Sequence, residues 1–169
     1  MAAGRDERAS VRAAQRGSAS GIEALFRLHW PGAYRAAFLV VHDAAAAEDI
    51  AQEAFLAAVR NLDRFDRGRP FGPWLHRIVV NRAIDWTRAR QLRGEAELVD
   101  AEAPESPRPL DASLLGALAA LPAEHRAVIV LRHLLEYTPG EIAGLLDLPR
   151  GTVNSRLRRG LDALGEELE

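Results

Sequence analysis

The sequence contains no cysteine, no lysine and no long apolar run. Because no cysteine occurs among its 169 residues, disulfide bonds, zinc sites with thiolate ligands and thiol-based redox switching are excluded. All 22 basic residues are arginine, a bias that base composition can produce, so arginine content alone is weak support for nucleic-acid binding. No apolar run approaches the roughly 20 residues of a membrane-spanning helix, and no signal-peptide core is found, so we expect a cytoplasmic protein.

Charge is distributed unevenly along the chain, although the net charge is only −2. Residues 20–93 carry 11 Arg against 8 acidic residues, whereas residues 94–112 carry 1 Arg against 6 acidic residues. Residues 113–169 carry 6 Arg against 8 acidic residues. A chain with this net charge is not expected to bind DNA indiscriminately. The acidic stretch contains three prolines and lacks apolar periodicity, so it is predicted to be a flexible linker.

Apolar residues recur at helical spacing through the first half of the chain. They predict helices over about residues 20–41, 44–62 and 71–93, and Pro31 should kink or split the first of them. Residues 1–19 are polar and rich in Arg and Ala, and nothing in them forces a helix. We therefore expect a mobile leader there.

The second half of the chain ends in a helix-turn-helix pattern. Thr138 is a favourable N-cap, a proline occupies the first helical position, and Glu141 lies where it completes a capping box. Pro149 should end this helix, because proline restricts the residue before it. A second helix is predicted from Arg150, with an apolar stripe on one side and a polar outer face on the other. That outer face contains Arg150, Asn154, Ser155, Arg158 and Arg159.

Polar side chains on the second helix of such a pair are what recognition of a DNA major groove requires. Arginine can form two hydrogen bonds with guanine, and Asn or Ser can contact base edges. A basic helix face that is only solvated is the alternative, and the charge pattern alone does not separate the two.

These periodicities together predict an all-α fold: two small helical domains joined by a flexible linker, the second with a helix-turn-helix. The predicted domains span residues 20–93 and 113–169, and the acidic linker spans residues 94–112. The second domain has about 55 residues, which is just enough to bury a small core.

The predicted helix over residues 44–62 carries a polar, mainly acidic face. Asp49 and Glu53 are like charges one turn apart, an arrangement that is mildly unfavourable in an isolated helix. Such a face is either solvated or a docking surface for a basic partner. The residues of this face are Glu48, Asp49, Gln52 and Glu53.

Aromatic residues alternate with Arg and Asn in the loop and helix that follow. Phe65 is a large apolar residue in a polar loop, and Trp74, Arg77 and Asn81 lie on the next predicted helix. This combination suits single-stranded DNA, because bases stack on aromatic rings while polar groups contact phosphates and base edges. The alternative is that Phe65 caps the core and Trp74 belongs to it.

Three stretches resemble regions two and four of bacterial sigma factors. Residues 47–55 (AEDIAQEAF) resemble the A-E-D-hydrophobic-x-Q-E-x-F signature of region two, and residues 71–85 resemble its F-x-x-W-L-x-x-I pattern with later Asn and Asp. Residues 121–157 contain the L-P-x-x-x-R, E-I-A and G-T-V-x-S-R-L elements of region four. Because only these two regions are represented, the chain is identified as a member of the extracytoplasmic-function (ECF) group of the sigma-70 family.

The resemblance implies a protein without catalysis of its own that binds core RNA polymerase and directs it to promoter DNA. The face implied to bind the clamp of the largest polymerase subunit is Glu48, Asp49, Gln52 and Glu53. The residues implied for the minus-ten element are Phe65, Trp74, Arg77 and Asn81. Those implied for the minus-thirty-five element are Arg150, Thr152, Asn154, Ser155, Arg156, Arg158 and Arg159. Control by an anti-sigma factor is also implied, whereas no metal, cofactor, small-molecule substrate or membrane is.

The sequence departs from the family pattern at three positions. His76 occupies a site that is often aromatic, Asn154 stands where Lys or Arg is usual, and Asp147 replaces the usual glycine of the turn. These departures affect promoter preference and phosphate affinity, and Asp at the turn is tolerated because it adopts the left-handed conformation more readily than most residues.

Three other functions are alternatives to this one. A conventional helix-turn-helix repressor or activator would bind duplex DNA tightly without polymerase, but it leaves the signature of residues 47–55 unexplained. A sigma mimic would bind an anti-sigma factor and never open a promoter with core polymerase. An enzyme is the weakest alternative, because no group of side chains has the spacing of a catalytic triad, metal site or phosphate loop.

Overall fold

The computed structural model describes residues 2–95 and 110–168, and this part of the chain is built from helices and turns without strands. The α-helices are α1 (Ala2–Gln15), α2 (Ala19–Val41), α3 (Ala44–Arg60), α4 (Phe71–Leu92), α5 (Ala112–Ala120), α6 (Ala123–Ile129), α7 (Pro139–Leu146) and α8 (Arg150–Leu168). A 3₁₀ turn (Leu62–Arg64) follows α3, and a π-helical turn (Val130–Leu134) follows α6. The predicted all-α class is confirmed for this part of the chain. Most of the predicted linker, residues 96–109, lies outside the described residues.

The first domain forms around α2, α3 and α4, which pack against one another through buried apolar side chains. The start of α3 is fixed by Asp43, whose Oδ1 accepts a hydrogen bond of 2.9 Å from the backbone amide of Ala46. α2 ends where His42 adopts the left-handed conformation, with φ of 52°. No helix within the two described ranges is long and apolar enough to span a membrane.

The N-terminal region differs from the prediction. α2 continues through Pro31, so of the two effects predicted for this proline, a kink or a split, the split does not occur. The mobile leader predicted for residues 1–19 is wrong, because α1 packs against α2 and buries Val11 and Ala14. The two helices approach so closely at Gly21 that an added Cβ would lie 2.7 Å from the backbone nitrogen of Ala14. The packing of α1 therefore depends on a glycine in α2. The composition of residues 1–19 alone does not reveal this contact.

The second domain contains the predicted helix-turn-helix in α7 and α8. The capping box is confirmed, since Thr138 Oγ1 accepts from the Glu141 amide at 3.3 Å and Glu141 Oε2 accepts from the Thr138 amide at 2.7 Å. Asp147 ends α7 in the left-handed conformation, with φ of 54°. Gly160 lets α8 cross α6 closely, because an added Cβ would lie 2.6 Å from Cδ1 of Ile129. The buried stripe of α8 is Val153, Leu157, Gly160 and Leu164.

The two domains pack against each other, with α5, α6 and α7 in contact with α2 or α4. Arg126 of α6 is fully buried at this junction. Its Nη1 donates to the carbonyl of Val40 in the first domain, and its Nη2 donates to the carbonyls of Ala119 and Leu121 at 2.9 Å and 2.8 Å. A buried guanidinium is costly unless its donors are satisfied, so these carbonyls hold both Arg126 and the junction in place.

Candidate nucleic-acid interface

The outer face of α8 is a surface of arginine and small polar side chains. Arg150, Asn154, Arg158 and Arg159 are exposed, and Thr152, Ser155 and Arg156 are half-buried. The pKa of His125 on α6 is lowered, mainly by burial and further by the charges of Arg156 and Arg159. The positive potential of the face therefore extends to a neighbouring helix. A rigid helix that presents arginines with Asn and Ser between them has the chemistry of a major-groove surface.

Phe65 belongs to a cluster of aromatic rings in the first domain. Its ring stacks on Trp74 with centroids 4.8 Å apart and an interplanar angle of 29°, and it meets the edge of Phe71 at 5.8 Å. Only 8% of Phe65 is exposed, while Trp74 is half-buried. The alternative interpretation, in which Phe65 caps the core, therefore accounts for most contacts of Phe65. Trp74 is the more accessible ring of the pair.

A cavity of about 570 Å³ lies over this aromatic pair. One wall comes from the first domain, and the other from the turn before α7 and from α7 itself. The residues that line it are Arg64, Phe65, Asp66, Arg69, Pro70, Pro73, Trp74, Arg77, Tyr137, Glu141, Gly144 and Leu145. Three of the predicted minus-ten residues therefore meet in one cavity, where arginines surround aromatic faces.

Asn81 is absent from the lining of this cavity. It is half-buried, and its Nδ2 donates to the carbonyl of Arg77 at 2.8 Å, one turn earlier in α4. The same nitrogen also donates to the carbonyl of Leu145 in α7 at 3.4 Å. The side chain predicted to contact the minus-ten element thus bonds to the second domain in this structure.

His76, one of the departures from the family pattern, forms a second contact between the domains. Its Nδ1 lies 2.8 Å from the hydroxyl of Tyr137. Burial, and to a smaller extent His29, lowers the pKa of His76 to about 4. Burial also raises the pKa of Tyr137. Both groups are therefore neutral near pH 7, and a hydrogen bond between neutral partners joins them.

The acidic face of α3 is exposed along its length. Glu48, Asp49, Gln52 and Glu53 are all open to solvent, and Gln52 Nε2 donates to Glu48 Oε1 at 3.3 Å. Glu53 forms a salt bridge of 2.8 Å with Arg82 of α4, so part of the charge is neutralised within the domain. Asp49 and Glu48 remain the carboxylates most available to a basic partner.

Three further pairs of residues join the domains, and no sequence pattern indicates these contacts. Tyr137 bonds to His76, Glu124 forms a salt bridge of 2.7 Å with Arg88, and Arg126 reaches the carbonyl of Val40. Arg126 belongs to the region-four pattern, which does not indicate a contact with the first domain. No local signal identifies these pairs, because each joins residues that are far apart in the chain and whose own helices do not require the contact.

Comparison with known proteins identifies the family. Sigma-70 region 2 matches residues 25–93, and Sigma-70 region 4 matches residues 111–164. The chain is 34% identical to ECF RNA polymerase sigma factor SigW of Bacillus subtilis over 153 residues, which is 80% of this chain and 82% of SigW. It is 35% identical to ECF RNA polymerase sigma factor SigL of Mycobacterium tuberculosis over 165 residues, which is 92% of this chain and 93% of SigL. The chain belongs to the ECF sigma factors of the sigma-70 family.

Solved structures share the fold of this sigma factor. CnrH in complex with the cytosolic domain of CnrY has a TM-score of 0.73 and 26% identity, and the match covers 96% of this chain and 97% of that one. The sigma factor RpoE of Bartonella quintana, solved in complex with the anti-sigma factor NepR, has a TM-score of 0.74 and 24% identity, over 86% of this chain and 95% of that one. The second likeness concerns the fold alone.

Proposed function

We propose that this sigma factor binds core RNA polymerase and directs it to promoters through two separate DNA contacts, one in each domain. The observation that carries the proposal is the exposed polar face of α8, held by a capped helix-turn-helix whose opposite face is buried. A protein that guides polymerase also needs a surface for the polymerase, and the acidic face of α3 is available for that contact.

In the second domain, α8 recognises the duplex of the minus-thirty-five element. Asn154, Ser155, Arg158 and Arg159 contact bases, and Arg150, Thr152 and Arg156 contact phosphates. The N-terminal end of α8 adds the partial positive charge of its free amide groups to the phosphate contacts. Because the net charge is −2, the free chain binds DNA weakly, and the polymerase must hold both domains near the promoter.

In the first domain, the aromatic cavity binds the displaced strand of the minus-ten element. A flipped base stacks on Trp74, Phe65 supports that ring from within the core, and Arg77 contacts the backbone. Unstacking a base costs a few kcal/mol, which stacking and hydrogen bonds in the cavity offset. Asn81 contributes base-edge hydrogen bonds once it leaves its partner in α7.

Replacement of Asn81 by Ala tests this assignment. We expect Asn81→Ala to reduce opening of a duplex promoter by roughly tenfold, the loss of one good base contact, and to have a smaller effect on pre-melted DNA. The measurement is open-complex formation on both templates with the holoenzyme. Equal loss on the two templates would contradict a role of Asn81 in strand capture.

The acidic face of α3 docks on a basic surface of the polymerase clamp. Asp49 is exposed and has no competing contact with α4, whereas Glu53 is shared with Arg82. Asp49→Arg should therefore weaken binding to core polymerase. Glu23→Arg on α2 is the matched control, because it makes the same charge change at another exposed position. Equal binding of core polymerase by the two variants would show that α3 is not part of the interface.

An anti-sigma factor controls this protein in our proposal. CnrH, whose fold matches over nearly the whole chain, was solved with a protein domain bound. An apolar groove of about 450 Å³ runs between α2, α5 and α8 and offers a place for an apolar helix of such a partner. Its leucines are Leu39, Leu110, Leu114, Leu118, Leu134, Leu161 and Leu164.

We also propose that the protein acts in the cytoplasm and performs no catalytic step, because RNA synthesis belongs to the polymerase. The deciding experiment mixes the purified chain with core polymerase on a promoter library and sequences the run-off RNA. Transcripts from promoters that share two spaced elements are expected. Tight binding to duplex DNA without polymerase would favour a conventional repressor or activator, and promoter binding without opening would favour a sigma mimic.

A further inference from the structure

The loop that carries Phe65 is tied at its start to the N-terminal helix. Gln15, the last residue of α1, donates from Nε2 to the carbonyl of Leu62 at 2.8 Å and to the carbonyl of Phe65 at 3.1 Å. The side-chain amide has two hydrogens, so one nitrogen can serve both carbonyls. The carbonyl of Leu62 also accepts from the amide of Phe65 at 3.1 Å, which closes the turn. Gln15 therefore fixes the backbone of this turn at the residue whose ring stacks on Trp74.

The end of the same loop is tied to α1 through His29 of α2. His29 Nε2 donates to Glu7 Oε1 of α1 at 2.6 Å. The ring of His29 lies 5.2 Å from the ring of Phe71. It also packs against Gly72, where an added Cβ would lie 3.3 Å from Cε1 of His29. α1 thus supports both ends of the segment between residues 62 and 72, directly at one end and through one side chain at the other.

The contacts of Gln15 position the loop more than they stabilise the domain. The core packing of α1 comes from Val11 and Ala14, which are buried against α2, whereas Gln15 is half-buried and reaches the loop. Its Oε1 is buried and has no hydrogen-bond partner within the described residues. An unpaired buried acceptor costs free energy, which offsets part of the gain from the two donated bonds. What remains specific to Gln15 is the place in which it holds Leu62 and Phe65.

We propose that α1 is part of the base-capture machinery and that Gln15 is a positioning residue, which fixes the loop so that Phe65 supports Trp74 beneath the flipped base. This inference rests on the proposed role of the cavity in binding the minus-ten strand. Gln15 is not among the described residues that line the cavity, so it acts through the backbone of Leu62 and Phe65 and touches no DNA. Capture of a base requires the two rings in one arrangement, because stacking depends on the distance and angle between the ring planes.

Two substitutions, Gln15→Met and Gln15→Glu, remove the donor and keep the length of the side chain. Thr87→Val is the matched control. Thr87 Oγ1 donates to the carbonyl of Ala83 at 3.0 Å, so this variant also removes a side-chain hydrogen bond to a backbone carbonyl in the first domain. Thr87 lies in the C-terminal part of α4, whereas Trp74 lies in its first turn. The control is therefore remote from the loop.

The experiment measures binding of single-stranded oligonucleotides by the holoenzyme. One oligonucleotide carries the minus-ten sequence that the promoter library yields, and the others each lack the base at one position. The flipped position is the one at which loss of the base weakens wild-type binding most. An oligonucleotide without that base cannot use the cavity, so its affinity reports every other contact. The ratio of the two affinities isolates base capture, and a misfolded fraction lowers both affinities alike.

We expect Gln15→Met and Gln15→Glu to lower this ratio by about fivefold, the factor that corresponds to about one net hydrogen bond. The charge that Gln15→Glu adds acts on both oligonucleotides and cancels in the ratio. Thr87→Val should leave the ratio at its wild-type value. Thermal unfolding of the free chains shows whether each variant is folded.

Two results would overturn the inference. One is an unchanged ratio in either Gln15 variant, and the other is an equal fall of the ratio in Thr87→Val, which would trace the effect to stability in general. Failure of the proposed function has a different signature. If the library yields no promoter-specific RNA, or if the wild-type holoenzyme binds all the oligonucleotides with equal affinity, the cavity captures no base and the inference fails with it.

Discussion

The two proposed DNA-binding surfaces of this sigma factor are presented in opposite ways. In α8, Arg150, Asn154, Arg158 and Arg159 point to solvent from a helix whose other face is buried. In the first domain, Phe65 is stacked in the core, and Asn81 bonds to the second domain. Recognition of duplex DNA requires only an exposed helix face. Capture of a flipped base requires a cavity, and the residues that line a cavity also pack within the fold.

This difference has a consequence for substitutions. On the proposed surface of α8, we expect a substitution to lower DNA affinity with little loss of stability. In the first domain, we expect substitution of Phe65 to affect both DNA affinity and stability, because the same ring supports Trp74 and packs on Phe71.

Arg126→Ala should have the largest effect, because it leaves the carbonyls of Val40, Ala119 and Leu121 without their donor and opens a void at the junction. We expect the free energy of unfolding to fall by about 4 kcal/mol. Chemical denaturation followed by circular dichroism measures it. Arg158→Ala, at an exposed position, is the control and should change stability by less than about 0.5 kcal/mol. Similar values for the two arginines would show that the buried bonds do not stabilise the chain.

Phe65→Ala should destabilise the first domain by about 3 kcal/mol, as expected for loss of a buried aromatic ring. It should also weaken binding of a minus-ten oligonucleotide by the holoenzyme, since Trp74 loses the ring beneath it. Phe65→Leu retains apolar volume and should recover more stability than oligonucleotide affinity. If stability is unaffected by Phe65→Ala, the ring is not part of the core and the contrast between the surfaces disappears.

Arg159→Ala should change recognition and leave the fold intact. We expect preference for the native minus-thirty-five element over a mutated one to fall by about 1 to 3 kcal/mol, the value of one bidentate contact with a base. Transcription from paired promoters with the reconstituted holoenzyme measures that preference. Arg132→Ala, which removes an exposed arginine outside α8, should leave the preference unchanged. An equal loss of transcription on all promoters would indicate that Arg159 contacts phosphates and not bases.

The smallest effect concerns acid sensitivity. Burial, with a smaller contribution from Arg126, lowers the pKa of His42 to about 4. Between pH 6.5 and about 4 the unfolded chain binds a proton at His42 that the folded chain does not, so stability should fall as pH falls through this window. His42→Asn, which suits the left-handed backbone at this position, should flatten the pH dependence of unfolding. His133→Asn, at an exposed position, should not alter the slope.

Much of the candidate site could be predicted locally because its residues follow helical periodicity. The face of α8, the capping box at Thr138 and the left-handed Asp147 each depend on a few neighbouring residues, and the structure has all three. The position of α1 could not be predicted in this way. It depends on a close approach at Gly21 that involves a different helix.

The sequence by itself determined the helices over residues 20–93, the helix-turn-helix, their apolar and polar faces and the family signatures, because each of these depends on residues within one or two turns of each other. Only the tertiary structure decided that the two domains meet, that Arg126 is buried between them, and that Asn81 bonds to Leu145. The physical reason is distance along the chain. Val40 and Arg126 are separated by 86 residues, and a contact at that separation depends on how whole helices pack, which no local pattern of residues specifies.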